Sequence, residues 1–144
     1  MPLLAAIAAI LLVALIFGPS WWIGRVLRKY GVERPDLPGT GGEFARHLLD
    51  EAKLPDVKVE ITDKGDHYDP AARAVRLLPQ HHDGRSVAAV AIAAHEVSHA
   101  IQHAREEPAF LRRMELVTRL VWVERLATVV LLLAPVMFIA LKAP

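Results

Sequence analysis

Residues Ala94-His95-Glu96-Val97-Ser98-His99-Ala100 place two histidines four apart, with a glutamate directly after the first. On a helix, side chains four apart stand one turn above each other, so both imidazoles can reach one tetrahedral zinc ion. Glu96 lies about 100° round such a helix from His95, near enough to act on a water beside the metal without ligating it. Zinc lowers the pKa of such a water toward neutrality, and a carboxylate then accepts its proton as it attacks a carbonyl. His95 and His99 are therefore the candidate metal ligands, Glu96 the candidate general base, zinc the implied cofactor and a peptide or protein the implied substrate. The competing reading is an alanine-rich core helix whose histidines are satisfied by packing.

The chemistry needs one rigid helix to hold it. Ser86 to Arg105 reads as that helix: Ser86 suits an N-cap, alanines fill the body, no Gly or Pro interrupts, and Pro108 stops it. Upstream, Thr40-Gly41-Gly42-Glu43 has the capping-box pattern and should start a scaffold helix over 43–53, with Phe44, Leu48 and Leu49 on its apolar face. His47 on that helix is expected at the surface or in packing. Val57 to Ile61 alternates as a half-buried strand, Asp63 to Pro70 carries turn residues, and Ala74 to Leu78 reads as a second strand. Together they suggest a β-hairpin against the His95 helix, which either offers a backbone edge to substrate or merely covers the core. In the turn, His67 and Tyr68 are possible transition-state or substrate contacts, since a donor opposite the metal can stabilise an oxyanion. The alternative is turn chemistry, with Asp66 and Asp69 capping backbone and Tyr68 packing. His81 and His82, just before the long helix, are expected to be solvated.

Length and composition set the remaining frame. The chain has 144 residues and a formal net charge of +1, with its basic residues scattered or beside apolar runs. That balance gives no electrostatic case for a nucleic-acid partner. There is no cysteine, which excludes disulfides, thiolate ligands and a cysteine nucleophile. Pro2 to Ile23 is long and apolar enough to cross a bilayer, with Trp21 and Trp22 at interface depth. A cleaved signal peptide fits less well, because no Lys or Arg precedes the apolar run. Leu126 to Leu141, interrupted by Pro135, reads as a second membrane helix whose preceding arginines snorkel. Arg25, Arg28 and Lys29 follow the first segment and basic residues precede the second, so the middle of the chain should face the cytoplasm. The expected organisation is a transmembrane helix over 1–23, a core over 24–108 and an amphipathic-to-transmembrane helix over 109–144, in a multi-pass protein of the cytoplasmic membrane.

Several motifs in order carry a further likeness: the apolar anchor, Leu37-Pro38-Gly39-Thr40-Gly41, Val57 to Glu60, Asp66-His67-Tyr68-Asp69-Pro70, Val75-Arg76-Leu77 and Ala93 to Ala104. This arrangement resembles the YugP-like family of neutral zinc metallopeptidases of bacterial membranes. The resemblance implies an α+β fold: a membrane-anchored, mainly helical zincin-like metalloprotease core of gluzincin type, with a small β-hairpin and two transmembrane helices. It lays the family's two histidines and glutamate on His95, His99 and Glu96. Two departures stand out. Ser98 occupies the place of a family glycine, and the family continues with a further membrane segment and a glutamate motif that looks like the third zinc ligand, so the chain resembles a C-terminally truncated member.

A catalytic zinc wants three protein ligands and an open position. Within the chain the candidates are His103, Glu115 and Glu124. A straight helix cannot wrap three successive turns around one ion, which argues against His103. Glu115 and Glu124 are expected to pair with arginines. The third ligand is thus expected to be missing, or supplied by water or another chain. Two functions follow: a membrane-integral zinc-dependent endopeptidase, or a non-catalytic membrane protein with at most weak metal binding.

Overall fold

In the computed structural model, which describes residues 2–142, the elements run α1 (Pro2–Tyr30), α2 (Gly41–Glu51), β1 (Lys58–Ile61), β2 (His67–Asp69), β3 (Ala74–Leu77), α3 (Pro79–His82), α4 (Val87–Ala104) and α5 (Pro108–Lys142). Ala143 and Pro144, the end of the expected third segment, lie outside the described residues. The chain divides into two compact units, Met1–Ile101 and Gln102–Pro144.

Local chemistry sets the helix ends of the first unit. Thr40 caps α2: its hydroxyl accepts from the Glu43 N–H at 3.2 Å, and the Glu43 carboxylate accepts from the Thr40 N–H at 2.8 Å. This is the capping box read from the sequence. The helix ends at Lys53, held at φ 59°, where the Lys53 N–H reaches the Asp50 carbonyl and the Leu54 N–H reaches the Leu49 carbonyl. Those two bonds are a Schellman ending, with Pro55 just beyond to block continuation. Ser86 caps α4 by accepting from the Ala89 N–H at 3.1 Å.

Gly41 and Gly42 are demanded by packing. A Cβ on Gly41 would sit 2.1 Å from the His81 carbonyl oxygen and 3.0 Å from that of Ala89, and one on Gly42 would meet the His82 ring at 2.8 Å. The start of α2 is therefore pressed against α3 and the first turn of α4. Arg46 then ties α2 to the following loop, donating to the carbonyls of Val57 at 2.6 Å and Leu54 at 3.1 Å.

The sheet has three strands in the order β1-β3-β2. β1 pairs with β3 in parallel, Val59 opposite Val75, while β2 pairs with β3 antiparallel, Tyr68 opposite Val75. This corrects the expected hairpin of the two longer strands. The stretch taken for a turn contains β2, so the chain reverses twice between β1 and β3 and brings them back in the same direction. The hairpin that exists is β2–β3. Val75 and Leu77 of the central strand are fully buried and, with Ala45, Leu49, Val57, Ala89, Ala93 and Val97, form the core of this unit.

α1 continues unbroken through Pro19 to Tyr30, so Arg25, Arg28 and Lys29 belong to the same helix as the apolar run. Among the described residues this is the one helix, over Ala6–Tyr30, long and apolar enough to cross a membrane. In the second unit, α4 ends at Glu106 (φ 52°), with the Glu106 N–H on the His103 carbonyl and the Glu107 N–H on the Gln102 carbonyl. Pro108 follows and opens α5, which carries Pro135 inside it. The expected second span, Leu126 to Leu141, falls partly on residues 136–142, whose side chains lie outside the described set.

Candidate metal centre on helix α4

Around α4 at about 100° per residue, Ala89, Ala93, Val97 and Ala100 form one stripe. All four are buried. Glu96 lies on the edge of that stripe, and His99 and His95 follow further round. The burial matches this placement: Glu96 is 7% exposed, His99 is half-buried and His95 is exposed. The His95 and His99 rings meet edge to face, their centroids 4.7 Å apart. Two imidazoles on adjacent turns beside a carboxylate are a donor set that suits zinc, a borderline metal that takes nitrogen ligands readily.

The Glu96 carboxylate makes no hydrogen bond or ion pair among the described residues, although most of its side chain is buried. Among the described residues no side-chain oxygen or nitrogen sealed from solvent lacks a partner, so the Glu96 oxygens keep access to solvent. A carboxylate set mostly below the surface, with its oxygens open only to solvent, can take a partner from outside the fold. The Ser98 hydroxyl donates to the His95 carbonyl at 2.6 Å. That bond turns the side chain back onto its own helix, so Ser at this position leaves the helix intact.

The Asp66–Pro70 segment distributes its side chains differently. Asp66 accepts from the Leu78 N–H at 2.8 Å through one oxygen and pairs with His81 Nδ1 at 2.8 Å through the other, both side chains being 14% exposed. His81 is therefore not solvated as the sequence suggested: it is the partner that lets Asp66 be buried. Asp69 accepts from the N–H groups of Ala71 and Ala72 at 2.9 and 3.1 Å and pairs with Arg76, which also reaches Glu60 at 3.1 Å. The Ala72 N–H, aided by that of Ala71 and by Arg76 against some desolvation, holds Asp69 below the ordinary carboxylate range.

His67 and Tyr68 are consecutive in β2 and so point to opposite faces of the sheet. Tyr68 stands on the face of Val75 and Leu77 and is buried, and that burial lifts its phenol above the ordinary value. His67 stands opposite Arg76, and its Nδ1 is engaged with the Gly65 carbonyl at 2.8 Å. A carbonyl can only accept, so that nitrogen carries the proton and Nε2 of the neutral ring is an acceptor. The sequence had grouped the two residues because they are adjacent; the alternation of a strand separates them.

His47 is exposed beside Glu51 at 3.5 Å, as expected. His103 packs on Phe110 with ring centroids 5.6 Å apart, and Glu115 pairs with Arg119. Among the described residues no group of three His, Asp or Glu side chains is placed to hold a metal ion.

This chain belongs to the family described as "Putative neutral zinc metallopeptidase", whose pattern matches residues 5–143. Among its relatives is the "Putative membrane protease YugP" of Bacillus subtilis (strain 168), 40% identical over 103 residues. The matched region covers 67% of this chain and 45% of the relative, so the chain spans about half the length of the curated protein it matches. No solved structure is significantly similar to it.

Proposed function

We propose that this protein is a membrane-integral zinc-dependent endopeptidase whose metal is held by His95 and His99 and whose general base is Glu96. The observation that carries the reading is the state of Glu96: nine-tenths buried, without a partner among the described residues, and on the helix edge next to two imidazoles that meet edge to face at 4.7 Å. Family membership supports the same chemistry.

Bound zinc would supply Lewis acidity toward water and the scissile carbonyl. The chain's own residues supply the rest. His95 and His99 ligate through a ring nitrogen. Glu96 accepts a proton from the attacking water and returns it to the departing amine. Tyr68, kept as a neutral phenol by its burial, is the O–H donor in β2 suited to the charge that develops on the carbonyl oxygen. His67 is assigned to the polar face of the sheet and not to the reaction.

Two protein ligands leave a catalytic zinc one short. We assign the third to water or to another chain, since among the described residues no third His, Asp or Glu side chain is placed to join the pair. In this reading residues 1–23 and the apolar part of α5 both cross the cytoplasmic membrane, and the core faces the cytoplasm. Interface aromatics support it: Arg25 lies over Trp21 at 4.3 Å, where the first apolar run ends, and Arg125 over Trp122 at 5.5 Å, where the second begins.

The test is metal analysis of purified protein beside a protein-hydrolysis assay with E96Q as control. The reading expects bound zinc that survives E96Q and falls in H95A and H99A. Unchanged zinc in both histidine variants would overturn it. A second reading, a non-catalytic membrane subunit with weak metal binding, is favoured by the two-ligand donor set. It predicts no hydrolysis even from a form extended to the length of the relative.

A further inference from the structure

The cations at the end of α1 differ from those that are paired within the fold. Arg34, Arg46, Arg76 and Arg119 each reach a carboxylate. Arg25, Arg28 and Lys29 do not, among the described residues, and no acidic residue occurs before Glu33. All three are exposed. Their spacing of i, i+3 and i+4 puts them on one face of α1, and Trp21, one turn earlier, extends that face toward the apolar run. Arg25 stacks over Trp21 at 4.3 Å, and the Lys29 ammonium lies 5.3 Å from the Tyr30 ring centroid. Basic residues in a last helical turn can serve the helix dipole, but that effect fades within one turn. Arg25 lies more than a turn before the end of α1 at Tyr30, so the dipole does not account for it.

We infer that this face is a binding surface for anionic phospholipid headgroups. Three uncompensated cations on one side of a helix, with an indole at the depth where headgroups meet acyl chains, complement a phosphodiester with its negative charge unshielded. The two guanidinium groups supply paired N–H donors to phosphate oxygens, and Lys29 supplies a point charge. The occupant is a lipid of the surrounding leaflet, because the face is continuous with the apolar segment. The inference rests on α1 as a membrane anchor, and it adds that the membrane is chosen by headgroup charge.

The experiment incorporates the full chain into nanodiscs of equal phosphatidylglycerol and phosphatidylcholine. The protein is then released into detergent and its retained lipid is weighed by native mass spectrometry. The wild type should keep phosphatidylglycerol over phosphatidylcholine by on the order of tenfold at low salt, falling as salt rises. The R25Q/R28Q/K29Q variant should bring the ratio near parity, and the charge-keeping R25K/R28K variant should preserve most of the preference. Parity in the wild type, or an undiminished preference in the triple glutamine variant, overturns the inference. Carbonate washing of vesicles of phosphatidylcholine alone reads the anchor separately. A chain that stays with those vesicles but shows no headgroup preference refutes the lipid site and leaves the anchor standing. A chain washed off them refutes the anchor itself.

Discussion

Two groups of ionisable side chains in the first unit are built from the same residue types and treated in opposite ways. In the sheet, Asp66 is matched by His81 and a backbone N–H, and Asp69 by Arg76 and two backbone N–H groups, with Glu60 completing the set from β1. On α4, Glu96 is more buried than Asp66 and has no partner among the described residues, and the two histidines beside it face each other. A carboxylate whose hydrogen bonds are filled by its own fold is spent on structure. One that is mostly buried and unfilled is open to a partner from outside the fold.

If that contrast is right, E96Q should lower peptidase activity by about 10²–10⁴-fold, the usual contribution of a positioned general base, while leaving or slightly raising thermal stability. Activity should be measured on a form carrying the family's full length. A loss of stability would show that Glu96 belongs to the structural group. Next in size, Y68F should cost roughly 10²-fold or more in turnover with little change in melting temperature, as removal of one oxyanion donor does. H67Q should leave turnover nearly unchanged, and a large loss there would invalidate the separation of the two residues by the sheet faces.

On the structural side, Gly41→Ala should destabilise by more than about 2 kcal/mol, since its Cβ would press on the His81 carbonyl and displace α3. Chemical denaturation measures this, and a neutral result would mean that α3 does not pack as described. The smallest expected effect is in acid. The native pKa of Asp69 lies below its unfolded value, so its contribution is complete above about pH 4 and is lost as pH falls through the depressed native value. An acid titration of stability should therefore be shallower for D69N than for wild type below that point, and parallel curves would remove Asp69 from the structural group.

What the sequence determined by itself is what depends on neighbours within about one turn. Thr40 and Glu43 cap each other, Ser86 caps α4, Pro55 and Pro108 follow the two helix endings, and His95 and His99 fall on one face because a helix has 3.6 residues per turn. The placing of His95, Glu96 and His99 side by side on one helix was legible for that reason. Strand partners were not, because pairing is chosen by residues distant along the chain. The parallel register of β1 with β3 depends on three residues, His67 to Asp69, too short and too polar to announce a strand. The burial of His81 depends on Asp66 fifteen residues earlier, and the parting of His67 from Tyr68 depends on β3 running beside them. Only the tertiary structure could decide which buried carboxylates are paired among the described residues and which are not, because a buried charge is judged by the partners that distant segments bring to it.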